Sequence, residues 1–410
     1  MSGNAPAAPA GAPARPPPDA ATIFRTFLLL GMTGFGGPMA HLAMFRRTFV
    51  DRRGWVTAAR YDGLVALAQL VPGPASSQVG FALGLEWAGW RGAVAAFTGF
   101  TLPSALLMTA LGLGFATLDD PTLDAALRGL MLVAVVVVAH AVAAMARSIG
   151  RRPLPLLAAM GVGLVAAFST SGAAAGVALL IAAAFGALLP SRVSVTRLET
   201  PWPAGQRRAS RRALAALGVL LLGSVAATTS SAPPMLAVAA AHLQAGALVF
   251  GGGHVVLPLL QSGVVEPGWV SADAFASGYG AAQALPGPMF ALSAYLGASA
   301  QPGAFASISA AISLAAMFLP GFVFIVAAQA HAAALGSHRR GLAALAMVNG
   351  AVLGLLATAG WALADDVELR AIDVPVLAAA LALLSVRGRS ALWAVLLCVG
   401  YAVAEAAWPA

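Results

Sequence analysis

A Pro-Gly-Pro tripeptide occurs twice in this chain, each time in the middle of a strongly apolar stretch. The copies are Pro72-Gly73-Pro74 and Pro286-Gly287-Pro288. Two further landmarks, a Phe-Gly-Gly run before each copy and a Leu-Pro pair after it, recur in the same order 214 to 217 residues apart. Three landmarks at nearly one offset indicate an internal duplication. Because Pro and Gly interrupt helices, each half should contain apolar segments that are broken in the middle.

The composition is that of a membrane protein. Hydrophobic residues make up 60% of the 410 positions and charged residues 9%, whereas soluble domains carry roughly 25% charged residues. One aqueous core cannot bury so much apolar surface, so we predict an all-α polytopic membrane protein. The positive charges behind the net charge of +8 are all arginines. Arginines in cytoplasmic loops explain this charge better than a nucleic-acid partner does. The single Cys398 excludes an intramolecular disulfide and a cysteine-based metal site.

The apolar segments follow a tail rich in Ala, Pro and Gly, which we expect to be disordered. Each half begins with two broken segments and continues with four unbroken ones, and one lone segment lies between the halves. This pattern predicts a tail at residues 1–21, a first repeat at 22–190, an arginine-rich cytoplasmic linker with a topology-inverting helix at 191–234, and a second repeat at 235–410.

The positions of the arginines indicate how the broken segments are arranged. If all 13 segments crossed the membrane, arginine-rich stretches would fall on both faces. If each broken segment is a hairpin that re-enters from its own side, the amino terminus and these stretches face the cytoplasm, and only Arg128 and Arg370 lie outside. We therefore predict about nine full crossings and four re-entrant hairpins. The lone crossing would make the halves inverted repeats, an architecture typical of secondary transporters.

The breaks supply candidate ligands for an anion. A Pro-Gly-Pro break leaves backbone N–H groups free at the positive end of the next half-helix, and glycine lets an anion approach the backbone. In the first half, Ser76, Ser77 and Gln78 add side-chain donors. Gln69 and Gln283 could bind the anion or satisfy carbonyl groups freed by the break. The candidate substrate-binding residues are Gly36, Gly37, Pro38, Gln69, Pro72, Gly73, Pro74, Ser76, Ser77, Gln78, Gly251, Gly252, Gly253, His254, Gln283, Pro286, Gly287 and Pro288.

Three residues near the breaks are candidates for energy coupling. His41 and His254 can titrate near neutral pH, and Arg25 carries a charge into an apolar segment. Structural alternatives stay open for each: a hydrogen-bonded histidine, an arginine that reaches the interface, and glycines and prolines that only pack a tight hairpin.

An enzymatic function is a further class to consider. The acidic runs Asp119-Asp120 with Asp124, and Asp365-Asp366 with Glu368, could hold Mg²⁺ for a prenyl diphosphate. Both runs fall in predicted outer loops, where acidic residues are ordinary. We therefore expect no enzyme, no catalytic residues, no metal site and no cofactor.

The duplicated motifs resemble the chromate ion transporter family in its long, two-domain form. The resemblance rests on Phe35 to Trp55 and Leu70 to Gly84 in the first half, and on Phe250 to Pro258 and Gly268 to Pro288 in the second. It implies a secondary transporter of the bacterial inner membrane that exports chromate, a tetrahedral dianion, and thereby confers chromate resistance. The family is usually drawn with 13 crossings, from which the predicted hairpins depart.

The resemblance leaves some properties open. A permease or exchanger for sulfate or a similar oxyanion is the alternative function, because backbone donors at a helix start suit both anions. The expected partners are the oxyanion and membrane lipid. The coupling ion and the direction of flux stay open, and so does a homodimer.

Cysteine labelling from either side of the membrane tests the predicted topology. Single cysteines replace Thr57, Ser194 and Ser271 in a Cys398→Ser background. The hairpin arrangement places Thr57 and Ser194 on one face of the membrane and Ser271 on the other. The arrangement with 13 crossings places Thr57 and Ser194 on opposite faces. External labelling of only one of Thr57 and Ser194 would contradict the hairpins.

Overall fold

The chain folds into helices that are interrupted where the duplicated motifs place Pro and Gly. The computed structural model describes residues 18–35, 37–114, 121–150, 153–168, 172–188, 207–229, 232–249, 256–335, 339–367, 369–386 and 392–407. Every regular element within these ranges is helical, as the sequence predicts for an all-α membrane protein. The tail to residue 17, residues 191–206 of the linker and the glycine run of the second half lie outside these ranges.

The helices of the first half and the linker follow the predicted segments. They are α1 Ala20–Thr33, α2 Gly37–Phe45, α3 Ala58–Leu70, α4 Ala75–Gly114, α5 Pro121–Ile149, α6 Pro153–Phe168, α7 Gly172–Leu188 and α8 Arg207–Thr229. A π-helical turn, Arg46–Arg52, extends α2. Non-helical dihedral angles at Ala88 and Gly89 divide α4 into a first arm, 75–87, and a second arm, 90–114.

The second half repeats this order. Its helices are α9 Pro234–Leu248, α10 Val256–Leu260, α11 Ala272–Ala284, α12 Leu292–Ala300, α13 Ala306–Leu335, α14 Arg339–Asp366, α15 Asp373–Ser385 and α16 Leu392–Ala407. A π-helical turn, Gln261–Val265, extends α10, and a short 3₁₀ turn, Met289–Ala291, precedes α12.

Equivalent helices of the two halves begin with equivalent caps. The Thr57 hydroxyl accepts the backbone N–H of Arg60 at the start of α3. The Ser271 hydroxyl accepts the backbone N–H of Ala274 at the start of α11. Ser and Thr are favoured at this position because the hydroxyl satisfies one of the N–H groups that the first turn leaves without a partner.

Both broken segments of the first half fold back on themselves. The rings of Phe27 in α1 and Phe45 in α2 lie 5.3 Å apart between centroids, whereas an uninterrupted helix would separate these residues by about 27 Å. Arg60 at the start of α3 forms an ion pair with Glu86 at the end of the first arm of α4, with Nε donating to Oε2 at 3.2 Å. Each pair joins the two arms of one helical hairpin.

The second half forms two hairpins at equivalent positions. The backbones of α9 and the π-helical turn after α10 are so close that a Cβ added to Gly263 would lie 2.9 Å from the Ala241 Cβ. The hydroxyl of Tyr295 in α12 donates to the carbonyl of Ala274 at the start of α11, at 2.9 Å. We number the hairpins 1 (α1–α2), 2 (α3 and the first arm of α4), 3 (α9–α10) and 4 (α11–α12).

Helix α13 connects the open ends of hairpins 4 and 2. Near its start, the Ser309 carbonyl packs against Gly297 close to the end of α12. Near its end, the Gln329 amide donates to the Glu86 carboxylate at 3.0 Å. The helical rise between Ser309 and Gln329 is about 30 Å, which is the thickness of the hydrocarbon core of a bilayer. Hairpins 2 and 4 therefore open toward opposite ends of α13.

The outside of the bundle is apolar, as lipid contact requires. The side chains of Met160, Leu222 and Trp361 are 65%, 75% and 78% exposed. Within the described ranges, the stretches long and apolar enough to cross a membrane are Ala75–Gly114, Arg128–Arg147, Arg208–Thr228 and Ala306–His331. The other apolar helices are shorter, so the predicted number of nine crossings stays a prediction.

An ion-pair network explains the two arginines that the sequence assigns to the outer face. Asp373, at the start of α15, is fully buried. Its carboxylate accepts two hydrogen bonds from the Arg128 guanidinium of α5, at 2.8 and 3.3 Å, one from the Tyr401 hydroxyl at 2.9 Å, and one from the Arg370 backbone. Both arginines also approach Glu405. The network joins a helix of the first half to two helices of the second.

A pair of valine substitutions tests the close packing of α9 on α13. A Cβ added to Gly246 would overlap the carbonyl oxygen of Met317, whereas a Cβ on Gly218 of α8 meets open space. We expect Gly246→Val to cost about 3 kcal/mol or more in the free energy of unfolding, because the backbones have to separate. Gly218→Val should be nearly neutral. Thermal unfolding of the purified protein in detergent measures both, and equal melting temperatures would contradict this packing.

Candidate functional site

The tips of the four hairpins meet in pairs, and each pair joins the two halves. The backbone N–H of Gly73, at the tip of hairpin 2, donates to the Val249 carbonyl at the end of α9, at 2.7 Å. The backbone N–H of Gly287, at the tip of hairpin 4, donates to the Gly34 carbonyl at the end of α1, at 2.8 Å. Each half thus satisfies a backbone carbonyl that the break in the other half leaves without a helical partner.

The third duplicated landmark meets the same tips. Gly73 lies against Gly321, which follows Pro320 in α13, and a Cβ on Gly73 would be 2.7 Å from the Gly321 Cα. Gly287 lies against Ser104, which follows Pro103 in α4, and its Cβ would be 2.7 Å from the Ser104 Oγ. Gly73 and Gly287 have φ angles of 129° and 107°. Both positions therefore require glycine, for backbone conformation as well as for space.

The Gln78 side chain bridges hairpin 2 and α13. Its Nε2 donates to the Pro72 carbonyl at 2.7 Å and to the Gly321 carbonyl at 2.9 Å. Its Oε1 is buried without a hydrogen-bond partner among the described residues. Both amide hydrogens are therefore used within the protein, and the free atom is an acceptor. In this geometry, the side chain satisfies carbonyl groups freed by the breaks and offers no donor to an anion.

His41 joins hairpin 1 to hairpin 2. Its ring packs edge-on against Phe100 of α4, with the centroids 5.1 Å apart. Nε2 lies 3.1 Å from the Gly34 carbonyl, so Nε2 carries the hydrogen, and Nδ1 faces the Ser76 hydroxyl at 3.5 Å. A neutral ring fits this arrangement, because Nδ1 can accept from the hydroxyl. The Gly34 carbonyl thus receives two donors, His41 and Gly287.

The start of α4 keeps several donors that no internal bond uses. The backbone N–H of Gln78 bonds to the Pro74 carbonyl at 2.9 Å and closes the first turn. The N–H groups of residues 75–77 precede that bond, so three backbone donors are available there. The Ser77 hydroxyl is buried and has no partner in the described structure. These groups can bind an anion at the positive end of the helix dipole.

The equivalent tip of the second half is apolar. Pro288 is followed by a 3₁₀ turn in which the Ala291 N–H bonds to the Pro288 carbonyl at 2.9 Å. Met289 and Phe290 are buried there. The Gln283 amide lies 2.6 Å from the Met289 sulfur. The first turn after Pro74 thus contains serine hydroxyls, whereas the turn after Pro288 contains the apolar side chains of Met289 and Phe290.

The remaining predicted residues divide into three groups. Gly37 and Pro38 begin α2, and Pro72, Pro74 and Pro286 flank the tips. Gln69 is exposed in the last turn of α3, and Arg25 is exposed on α1, about 13 Å along the helix from the tip of hairpin 1. Gly36, Gly251, Gly252, Gly253 and His254 lie outside the described residues, so their roles stay predictions.

Sequence reasoning missed four residues at or near the tips. Ser104 and Gly321 contact the tip glycines, and Thr101, one turn before Ser104, has a buried hydroxyl without a described partner. The duplicated Leu-Pro pair could have identified Ser104, Gly321 and Thr101, because each of them is next to one copy of the pair in the sequence. His242 of α9 is fully buried, and it lies in an unbroken arm for which no motif gave a signal.

The prenyl diphosphate hypothesis finds no support at the acidic runs. Asp119 and Asp120 lie outside the described residues, as does Glu368. The described part of the chain contains no group of three or more His, Cys, Asp or Glu side chains that could hold a metal ion.

Comparison with known proteins supports the internal duplication. The sequence model of the chromate transporter family matches the chain twice, over residues 21–187 and 236–404. The chain belongs to the chromate transporter family. The family consists of membrane transporters, not enzymes. The two matches contain the two sets of hairpins, so each half is one family repeat.

Similar proteins carry the same family assignment. The chromate transport protein of Pseudomonas aeruginosa is 28% identical over 354 residues, which are 83% of this chain and 80% of that protein. The chromate transport protein of Cupriavidus metallidurans is 30% identical over 306 residues, 73% of this chain and 71% of that protein. The probable chromate transport protein of Synechococcus elongatus is 29% identical over 306 residues, 73% of each. No solved structure matches the chain significantly.

Leucine substitutions at two glutamines of hairpin 2 test the bridging role of Gln78 in this chromate transporter family member. Gln78→Leu leaves the carbonyls of Pro72 and Gly321 without a donor, so we expect a loss of about 1–3 kcal/mol in the free energy of unfolding for each. Gln69→Leu is the matched control, because the Gln69 side chain is exposed. Thermal unfolding in detergent compares the two. A melting temperature of Gln78→Leu equal to that of Gln69→Leu would contradict the bridge.

Proposed function

We propose that this protein is a secondary transporter that exports chromate across the bacterial inner membrane and thereby confers chromate resistance. The observation that carries the proposal is the meeting of the hairpin tips beside the unpaired donors at the start of α4. The family membership supports chromate as the substrate. The names of the Pseudomonas and Cupriavidus relatives support it too.

In this proposal the halves are inverted repeats with re-entrant hairpins. The contacts along α13 support it, because Gln329 meets the open end of hairpin 2 and Ser309 meets the end of hairpin 4. Hairpins that enter from opposite faces would bring their tips together near the midplane of the bilayer. Broken helices at the midplane are where secondary transporters bind their substrates. The amino terminus and the arginine-rich stretches would then face the cytoplasm.

Chromate would bind mainly to backbone donors. The N–H groups of residues 75–77 and the Ser77 hydroxyl are donors at a helix start, which suits a dianion with several oxygen atoms. The neighbouring carbonyl groups of Pro72 and Gly321 already accept from Gln78, so they do not repel the anion with free lone pairs directed at it. Sulfate has the same shape and charge, and sulfate transport is the alternative that the experiment has to separate.

Contacts at the two ends of the bundle are suited to control access. Arg60, Glu86 and Gln329 join the halves at the open end of hairpin 2. Arg128 and Asp373 join them through α5 and α15. The Arg60–Glu86 ion pair is partly exposed and therefore weak, whereas Asp373 is fully buried, so that breaking its ion pair costs more. In the proposed cycle, the contacts at one end open while those at the other end stay closed.

Chromate flux in cells and vesicles tests the function. Expression in chromate-sensitive bacteria should lower chromate accumulation, and Ser77→Ala should weaken chromate binding about 5- to 150-fold, because it removes one donor worth about 1–3 kcal/mol. Met289→Ala is the matched control at the equivalent tip, where the side chain offers no donor, and it should transport nearly as the parent protein does.

Three results would count against the proposal or its binding site. Unchanged chromate accumulation, with the protein present in the membrane, would contradict chromate export. Saturable sulfate flux in inside-out vesicles, with chromate only a weak competitor, would favour the sulfate alternative. A well-expressed Ser77→Ala variant with parental transport kinetics would move the anion site away from the start of α4.

A further inference from the structure

The second half contains a histidine whose basic nitrogen has no partner. His242 is fully buried in α9. Its Nδ1 lies 2.8 Å from the Val238 carbonyl, and a carbonyl can only accept, so Nδ1 carries the hydrogen. Nε2 is therefore the bare nitrogen of the neutral ring, and it is buried without a hydrogen-bond partner among the described residues. The fixed tautomer leaves Nε2 as the position that can take a proton.

The packing of α9 on α13 directs His242 toward Ser313. Gly246 lies against the Met317 backbone, and the Val249 carbonyl binds Gly73 beside Gly321 of α13. The two helices therefore run parallel. His242 is one turn before Gly246, and Ser313 is one turn before Met317. Residues four apart share a helix face, so His242 and Ser313 lie at one level of adjacent helices.

Two further serines reach this level. Gly297 of α12 packs against the Ser309 carbonyl and the Ser313 hydroxyl. Toward the tip of hairpin 4, the rings of Phe290 and Phe318 lie 6.0 Å apart, so α12 and α13 are antiparallel. Ser293, one turn from Gly297, therefore faces α13 between these two contacts. Its neighbours there are the residues around Ser313.

The four polar side chains share one unusual property. His242, Ser293, Ser309 and Ser313 are each 0% exposed, and each has a polar atom without a described hydrogen-bond partner. Buried polar groups are nearly always paired with protein or with ordered water. These four unpaired groups lie on α9, α12 and α13 within about two helical turns of one another, and we call this cluster the chamber. Three hydroxyls and one basic nitrogen suit a proton carried on water.

We propose that His242, with Ser293, Ser309 and Ser313, forms a proton-binding site that couples the transporter to the proton gradient. A proton that enters from one side of the membrane passes along water in the chamber to Nε2, and the hydroxyl oxygens accept hydrogen bonds from the imidazolium and its water. Release of that proton on the other side of the membrane restores the neutral ring. The inference rests on the proposed function and assigns its driving ion.

Other titratable groups on the elements around α9 are directed away from His242 or lie far from it. The Tyr295 hydroxyl of α12 donates to Ala274. His331 of α13 is 18 residues beyond Ser313, about 27 Å along the helix. The arginines of α8, Arg208, Arg211 and Arg212, lie in its first two turns, whereas α9 meets its last turn through Gln244 and Thr228. Glu266 follows the π-helical turn and is exposed. Among the residues that the structure describes, His242 is therefore the titratable group of the chamber.

His41 makes an instructive comparison within the same protein. Both of its ring nitrogens have partners, the Gly34 carbonyl and the Ser76 hydroxyl. His41 is thus accounted for as a neutral bridge between hairpins, whereas Nε2 of His242 is left unpaired.

Purified protein in liposomes, with radioactive chromate, tests the proton site. Exchange of chromate at equal pH on both sides measures substrate binding and movement, and accumulation under an imposed pH gradient measures coupling. His242→Asn keeps an N–H donor near the position of Nδ1 and removes the titrating nitrogen. We expect exchange close to the parental rate, and accumulation reduced about 10-fold or more, within the usual range for coupling between two sites.

His331→Asn is the matched control. The Nδ1 of His331 lies 2.9 Å from the Ala327 carbonyl, one turn earlier in the helix, as in His242, but the side chain is only partly buried. This variant should retain both exchange and accumulation. Parental accumulation by His242→Asn would overturn the proposal, and so would loss of exchange together with accumulation in a folded His242→Asn protein.

A second variant keeps the proposal testable if His242→Asn does not fold. Ser309→Ala/Ser313→Ala removes two hydroxyls that stabilise the protonated ring, so the pH of half-maximal accumulation should fall by about half a unit or more. An unchanged pH profile would overturn the proposal. Absence of chromate exchange by the parent protein would overturn the proposed function, and the proton site with it.

Discussion

The backbone hydrogen bonds between hairpin tips are the interactions on which the rest of the structure depends. A helix broken inside a membrane exposes carbonyl and N–H groups where no water can reach them, and each unpaired group costs several kcal/mol. Here the N–H of Gly73 satisfies the carbonyl of Val249, and the N–H of Gly287 satisfies that of Gly34. The described donor to Val249 comes from the other half, and the Gly34 carbonyl receives one donor from each half, His41 and Gly287. The fold is therefore a property of both repeats together.

The shared backbone frame leaves the side chains free to differ between halves. At one tip, Gln78 spans from Pro72 to Gly321, and Ser76 meets His41. At the other, Ser104 fills the space beside Gly287, and Met289 replaces the polar residues. The two backbone bonds between the tips are nearly symmetric. At both tips the donor is a glycine that its φ angle and its contacts require. The side chains at the tips are not symmetric, and the proposed anion site uses those of the first half.

Much of this arrangement could be predicted from the sequence, but the pairing of the tips could not. Pro and Gly at one repeated offset identify the breaks. The repeat offset is the same whether Gly73 bonds to the break of its own half or to that of the other half. The sequence therefore contains no signal that separates these arrangements.

The roles of single side chains could not be predicted for the same reason, because they depend on contacts between distant parts of the chain. Gln78 was predicted to bind an anion because it lies in the first turn after Pro74. Its amide instead reaches a carbonyl of α13, 243 residues away in the chain. His242 lies in an ordinary apolar arm, and only the packing of α9 on α13 reveals that its Nε2 has no partner. Local patterns identify breaks and caps, whereas long-range contacts decide which polar atoms are left over.

Helix α13 connects the features that a transport cycle has to coordinate. It contacts the proton chamber at Ser313, the tip of hairpin 2 at Gly321 and the ion pair of hairpin 2 at Gln329. Pro320 lies inside this helix, just before Gly321. Proline removes one helical hydrogen bond and weakens the helix at that point. Pro103 does the same in α4, beside Ser104 and the other tip. Both long helices can therefore bend where they touch the breaks, so that movement of one half changes the geometry of the tips without breaking the packing at either end.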